Sequence, residues 1–179
     1  MAADYHLLAQ GPTPCLRLYR WSRPSLSLGY RQKTDWLEPS SLSRYGLDLV
    51  RRPSGGRALL HDDELTYALV VEARGKPHLP TAYRRLTQLL ARALQACGVQ
   101  VGFAGEQRLF PSRSHPGCMS ISIAGEITYR GRKLVGSAQT CQGNRLLQHG
   151  VIPLRVDGAR LSQVIPTETG VQGLVDQGG

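Results

Sequence analysis

The stretch from Leu47 to Glu72, LDLVRRPSGGRALLHDDELTYALVVE, decides the fold class. Three short runs in it are typical of strands: Leu47–Val50, Ala58–Leu60 and Leu65–Val71. Turn-forming Pro, Gly and Asp residues separate these runs, and no helical spacing lies between them. A doubly wound parallel sheet would need a helix after each strand. The stretch therefore disfavours a Rossmann fold and predicts a sheet-dominated α+β domain.

The flanking sequence continues this pattern. Further strands are predicted at Cys15–Trp21, Ser25–Tyr30, Val99–Phe103, Ile121–Ile123, Ile127–Tyr129, Lys133–Val135 and Val151–Ile152. Helices are predicted at Met1–Ala9, within Asp35–Tyr45 and, with apolar residues at spacings of three and four, at Pro80–Cys97. We expect one domain over residues 1–179, with a flexible, Gly-rich end at 167–179.

Charge and hydropathy narrow the classes of function. The chain has 22 Lys+Arg against 13 Asp+Glu, a net charge of +9, which favours an acidic partner. The arginines are scattered and aromatic residues make up 6% of the chain, which argues against nucleic acid as the main partner. The sequence contains neither an apolar run of about 20 residues nor a secretory signal. We therefore expect a cytoplasmic protein with no membrane partner.

The four cysteines favour free thiols over metal ligands. Cys15, Cys97, Cys118 and Cys141 form no CxxC pair, and the spacing His115-x-x-Cys118 has no matching second pair, so no metal site is expected. Free thiols are usually buried, and Cys97 at the end of a leucine-rich helix is predicted to be so. Cys118 follows a Pro/Ser/Gly loop. It is therefore either a nucleophile activated by a nearby cation or an idle, buried thiol.

Three further segments are candidate sites. Arg51–Arg57, with His61 beyond it, is either a ligand-binding loop in which Gly55 and Gly56 let the backbone approach a ligand, or a hairpin turn with solvated arginines. Lys133 is one of only three lysines beside 19 arginines, and Gly136, Ser137 and Ala138 would leave space near its ammonium. The alternative is that Lys133 is a solvent-exposed lysine in a hairpin turn. His149, beside Gly150, is either a site residue or a turn residue.

Together these motifs resemble the biotin/lipoate protein ligase and octanoyltransferase family over residues 1–165. The matching segments are the opening helix, the first strands, the run Arg51–Gly56 with His61 and Glu64–Tyr67, the run Gly131–Gln139, and Leu147–Gly150. The resemblance implies an α+β fold with a central mixed or mostly antiparallel sheet flanked by helices. It also implies acyl transfer to a lysine of a lipoyl carrier domain or a glycine-cleavage H-type protein.

The resemblance assigns roles to residues of this chain. Cys118 and Lys133 would be catalytic, since Cys118 stands where the cysteine-dependent octanoyltransferases carry their nucleophile, although Met119 replaces their usual aromatic residue. The substrate-binding residues would be Arg52, Ser54, Gly55, Gly56, His61, Gly136, Ser137, Ala138 and His149. Octanoate would come from acyl carrier protein and no cofactor would be needed.

Two alternatives share the same motifs. An ATP-dependent lipoate-protein ligase would use ATP and Mg and proceed through lipoyl-AMP, whereas a non-catalytic member would bind acyl groups or lipoyl domains without turnover. The absence of an accessory C-terminal domain favours transfer over ligation. The chain also ends soon after Leu161–Ile165, before the further helices that family members usually have, so we expect either a short form or a protein in which those contacts come from elsewhere. Biotin is the less expected substrate.

Overall fold

A computed structural model describes residues 1–105, 125–165 and 173–175 of the chain. The helices are α1 (Ala2–Gln10), α2 (Pro39–Arg44), α3 (Leu79–Ala96) and α4 (Gly158–Val164). The strands are β1 (Cys15–Tyr19), β2 (Ser25–Leu28), β3 (Asp48–Arg51), β4 (Leu59–His61), β5 (Glu64–Glu72), β6 (Val101–Phe103), β7 (Ile127–Tyr129), β8 (Arg132–Lys133), β9 (Gly136–Gln142) and β10 (Arg145–Pro153). The strand predicted at Ile121–Ile123 and most of the end at 167–179 lie outside the described residues.

The strands form three sheets. The central one is antiparallel, with the order β1-β5-β10-β9. The second is mixed, with the order β3-β2-β4, and the third is antiparallel, with the order β6-β7-β8. The α+β prediction is confirmed, and the two outer sheets add to the single central sheet that was expected.

Helices cover both faces of the central sheet. Leu8 of α1 packs on Ala68, Val70 and Leu147 of one face. Ala91 and Leu94 of α3 pack with Tyr67 on the opposite face. Alternate residues of a strand point to opposite faces, so neighbours Tyr67 and Ala68 belong to different cores. No helix in the described ranges is long and apolar enough to cross a membrane.

The segment between β3 and β4 is not a hairpin turn, so that alternative is wrong. β3 runs parallel to β2 and β4 runs antiparallel to it, on its other side. The chain from Arg52 to Ala58 must therefore cross the end of β2. The crossing is tight, because a Cβ at Gly29 would lie 1.9 Å from the carbonyl oxygen of Gly56. Gly56 itself has a φ of 96°, which favours glycine.

Two long strands, β9 and β10, correct the prediction of short strands at Lys133–Val135 and Val151–Ile152. Gly150 lies inside β10, where a Cβ would meet the carbonyl oxygen of Gly136 at 2.2 Å. It marks a close approach between strands rather than a strand end. Leu134 and Val135 lie between β8 and β9 instead of continuing a strand. Cys97 is exposed at the C-terminus of α3, so the prediction that it is buried is wrong.

Candidate functional site

A cavity that opens to solvent lies on the α1 side of the central sheet. Its sheet wall is set by register: Thr66 pairs with Val151, which pairs with Gly136, and one row away Ala68, His149 and Ala138 are aligned. The second sheet and the loop before β4 form the opposite side. Of the predicted substrate-binding residues, seven line the cavity: Arg52, Gly56, His61, Gly136, Ser137, Ala138 and His149.

His149 is a buried residue in the middle of β10, so the turn alternative is wrong. Its Nδ1 lies 3.0 Å from Oδ2 of Asp4, and its Nε2 lies 2.5 Å from the hydroxyl oxygen of Ser54. Asp4 comes from α1 and Ser54 from the loop before β4. We call these three residues the His149 triad. All three are buried, and they join α1, the central sheet and the loop.

The charges in the His149 triad have a definite arrangement. Burial is the main cause that lowers the pKa of His149 below its ordinary value, and the Asp4 carboxylate beside it offsets this lowering only in part. Burial raises the pKa of Asp4, but the hydrogen bond from His149 and nearby positive charges, Arg17 among them, outweigh burial and lower it overall. At neutral pH, a neutral imidazole therefore donates from Nδ1 to an ionised Asp4 and accepts from Ser54 at Nε2.

His61 forms a second triad with Glu64 and Ser27, which we call the His61 triad. Its Nδ1 lies 2.6 Å from Oε1 of Glu64, and its Nε2 lies 2.7 Å from the Ser27 hydroxyl. Trp21 stacks on the imidazole with ring centroids 4.2 Å apart. All three triad residues are buried. The cavity thus has two histidines in its wall, each with a carboxylate on Nδ1 and a serine on Nε2.

Arg52 is buried and holds the loop in place, so the solvated-arginine alternative does not describe it. Its guanidinium donates to the backbone oxygen and hydroxyl of Ser27 at 3.0 and 2.8 Å. It also donates to the carbonyl oxygens of Gly55 and Arg57 at 3.2 and 2.7 Å. The fork that was expected to bind a ligand carboxylate or phosphate therefore engages the chain's own oxygens in this structure.

Lys133 is buried on β8 and its Nζ lies 2.9 Å from Oε1 of Glu126, so the exposed-hairpin alternative is wrong. In the part of the chain that the structure describes, Lys133 is not among the residues lining the cavity, although Gly136 three residues later is. Its catalytic role stays a prediction. Cys118 lies outside the described residues, and so does its predicted role as nucleophile.

The remaining predicted residues lie near the cavity but not in its wall. Ser54 is fully buried behind His149, and Gly55 faces a separate open concavity beside Tyr30 and Thr140. No group of three or more His, Cys, Asp or Glu side chains within 1–105, 125–165 and 173–175 is placed to hold a metal ion.

Sequence reasoning did not assign a role to Asp4, Ser27, Glu64 or Glu126. Asp4 had a recognisable signal, since it precedes Leu7 and Leu8 by three and four residues and so shares their apolar helix face. A carboxylate on an apolar face needs a buried partner. Glu64 stands three residues after His61, a spacing that a tight turn brings together.

Residues 1–176 match the family described as the lipoyl protein ligase A/B catalytic domain. The chain is 41% identical over 162 residues to octanoyltransferase LipM of Kyrpidia tusciae, covering 85% of this chain and 58% of that protein. It is 40% identical over 177 residues to octanoyltransferase LipM of Moorella thermoacetica, covering 92% of this chain and 64% of that one. The chain thus spans about three fifths of the length of these relatives.

Solved structures share the fold. A putative lipoate protein ligase from T. acidophilum with bound lipoic acid superposes with a TM-score of 0.81 at 22% identity, covering 99% of this chain and 72% of that one. A lipoate-protein ligase A bound with ATP superposes with a TM-score of 0.80 at 23% identity and the same coverage. With the match over residues 1–176, these findings establish that the chain belongs to the lipoyl protein ligase A/B catalytic domain family.

Proposed function

We propose that this chain is an octanoyltransferase that moves an octanoyl group from acyl carrier protein to a lysine of a lipoyl-domain or H-type acceptor protein. The observation that carries the proposal is the sequence identity of 36–41% to octanoyltransferases over 85–92% of the chain. The cavity supports it, since the residues similar to the family's substrate-binding motifs meet in its wall.

The cavity has the chemistry that an acyl chain needs. Gly56, Gly136, Ala138 and Gly150 keep side chains out of it, and Leu59 and Val151 add apolar surface. Each buried methylene of the substrate would contribute about 0.8 kcal/mol. The two histidines have both ring nitrogens engaged within their triads, so neither offers an unpaired hydrogen-bonding group to an apolar chain.

The proposed reaction has two acyl exchanges. The Cys118 thiolate attacks the thioester carbonyl, a bond forms between its sulfur and the carbonyl carbon, and the bond to the carrier sulfur breaks, so that the carrier leaves as a thiolate and takes up a proton from water. The acceptor lysine's neutral amine then attacks the enzyme thioester, forms the amide and returns the Cys118 thiol. Lys133 would stabilise the oxyanion that develops in either step. Both exchanges proceed without ATP, because the energy of the original thioester is retained until the amide forms.

The charge of the chain suits this pair of substrates. Carrier proteins that present an acyl group or a lysine are typically acidic. A chain with a net charge of +9 would therefore associate with them faster. Raising the salt concentration should therefore lower kcat/KM more than kcat.

The decisive experiment traps the thioester on the full chain. After incubation with octanoyl-acyl carrier protein, mass spectrometry should find the octanoyl group on the tryptic peptide 114–130, which contains Cys118. Cys118→Ala should abolish both the adduct and transfer to a lipoyl domain. Cys97→Ala is the matched control, because Cys97 is an exposed thiol away from the cavity and lies in the separate peptide 93–108.

Other outcomes contradict the proposal in recognisable ways. Transfer that survives Cys118→Ala and releases pyrophosphate from ATP would identify the lipoate-protein ligase activity instead. Binding of a lipoyl domain with neither thioester nor adenylate formed would identify a non-catalytic member. Octanoylation that moves equally to Cys97 would mark the adduct as non-specific.

A further inference from the structure

Asp4 is the structural anchor of the cavity wall. It is fully buried, although it comes from the first helix and lies 145 residues from His149 in sequence. Its Oδ1 accepts from Arg17 at 2.9 Å, and its Oδ2 accepts from His149 and from the Tyr19 hydroxyl, the latter at 3.2 Å. Burying a carboxylate is costly unless it is well paired, so these three donors point to a specific role.

The carboxylate determines which tautomer His149 adopts. A neutral imidazole has one N–H and one bare nitrogen, and an ionised carboxylate can only accept. Nδ1 must therefore carry the hydrogen, and Nε2 must be bare. Ser54 then has to donate its hydroxyl hydrogen to Nε2, which orients Ser54 and the Arg52–Arg57 loop against β10.

The order of these hydrogen bonds is that of a Ser–His–Asp triad, but its placement is not that of a nucleophile. A triad serine must reach the substrate carbonyl. Ser54 has no exposed surface and does not line the cavity, whereas His149 does. The imidazole of His149 is therefore the part of the triad that faces the cavity, and Ser54 lies behind it.

We propose that Asp4 is a positioning residue, which holds His149 as the neutral Nδ1–H tautomer and thereby keeps Ser54 and the Arg52–Arg57 loop against β10, where the loop forms one wall of the acyl cavity. This inference rests on the proposed function, because it takes the cavity to bind an acyl chain. Asp4 acts through His149 and does not touch the substrate.

The test measures the tautomer and the kinetics in the same variants. In Asp4→Asn, the amide oxygen is drawn to Arg17, which turns the amide hydrogens towards Nδ1 and favours the Nε2–H tautomer. Nitrogen-15 NMR of imidazole-labelled protein should show His149 as Nδ1–H in the parent and largely Nε2–H in Asp4→Asn. KM for the octanoyl donor should rise about tenfold, with kcat much less affected.

Two further variants distinguish the effect of Asp4 on the tautomer from the effects of Arg17 and Ser54. Arg17→Gln is the matched control, since it loses a charged partner of the same carboxylate but keeps the bond to His149, and its tautomer should match the parent. Ser54→Ala should also keep the Nδ1–H tautomer, because Asp4 alone determines it. A tautomer that changes in Ser54→Ala but not in Asp4→Asn would overturn the proposal.

The outcomes also distinguish this inference from the proposed function. A parent protein that forms no octanoyl adduct would count against the proposed function, while the tautomer measurement would still decide the role of Asp4. An unchanged KM in Asp4→Asn, with an altered tautomer, would overturn the link to acyl binding. Covalent labelling of Ser54 by an alkyl fluorophosphonate would show a nucleophile there and would overturn the positioning role.

Discussion

The His149 triad and the His61 triad each place a histidine in the wall of the same cavity, with a carboxylate on Nδ1 and a serine on Nε2, but they are assembled differently. Glu64 reaches His61 across a two-residue turn, within four consecutive residues of the chain. Asp4 reaches His149 from a separate helix. The carboxylate of the His61 triad is therefore placed by local chain geometry, whereas that of the His149 triad is in place only once α1 has docked on the central sheet.

Because of this difference, the two triads should respond to different structural changes. The His61 triad spans the junction between β4 in the second sheet and β5 in the central sheet, so it ties two sheets together. The His149 triad ties the helix α1, the strand β10 and the loop before β4. A change in the docking of α1 should disturb the imidazole of His149 and leave that of His61 in place.

Replacing Arg52 should have the largest effect, because Arg52 contacts one member of the His61 triad and the loop that carries Ser54 of the His149 triad. It donates to Ser27 of the His61 triad and to two carbonyl oxygens of the loop that carries Ser54. Arg52→Met would leave these buried acceptors unpaired, and we expect a loss of about 3 kcal/mol or more in the free energy of unfolding. Urea denaturation followed by circular dichroism would measure it.

The adjacent Arg51 provides the control for that variant. Its guanidinium also donates to backbone oxygens, those of Gly29, Tyr30 and Gln32, but the residue is exposed. Water can replace those bonds, so Arg51→Met should cost about 1 kcal/mol or less. Equal losses in the two variants would show that burial of Arg52 is not what makes it important.

Replacing Gly150 should change the surroundings of His149 and not those of His61. A Cβ there would lie 2.2 Å from the carbonyl oxygen of Gly136 and 2.9 Å from the Tyr67 ring, so β9 and β10 would have to separate beside His149. Gly150→Ala should destabilise the fold by about 1–3 kcal/mol. Gly158→Ala is the matched control, because it has open space around it and begins a helix. A fully stable Gly150→Ala would contradict the close approach of the strands.

These two triads also show what a sequence can predict. The helix Leu79–Ala96 and the strand Glu64–Glu72 follow from periodicity, because each pattern is local. His61 and His149 were both predicted as site residues, and the structure brings both to one cavity. Their partners differ: Glu64 was within reach of local reasoning, whereas Asp4 depends on tertiary docking. Only Val151–Ile152 of β10 was predicted, because Gly150 serves a close contact between strands that only the folded chain reveals.

The pH dependence of stability should come from His149 in part. Its pKa is lowered in the folded state, chiefly by burial, so the unfolded chain binds more protons just below the ordinary value of 6.5. The free energy of unfolding therefore has its full value above about pH 6.5, and it falls as the pH is lowered from 6.5 towards the pKa of His149 in the folded protein. One such proton gives a slope of at most about 1.4 kcal/mol per pH unit. In His149→Gln this part of the slope should vanish, and identical slopes in both proteins would contradict a neutral, buried His149.

The smallest effect should come from Trp21, which belongs to the His61 side. Its Nε1 donates to the Thr66 hydroxyl at 3.1 Å, and that hydroxyl donates in turn to Glu64 at 2.8 Å. Trp21→Phe keeps a ring to cover His61 but removes the first donor, so about 1 kcal/mol of stability should be lost. The lost hydrogen bond is linked to His61 only through Thr66 and Glu64, and it touches no member of the His149 triad. The imidazole NMR signals of His149 should therefore stay unchanged. A shifted His149 signal in this variant would show that the two triads respond as one unit, and the separation between local and long-range assembly would then have no energetic consequence.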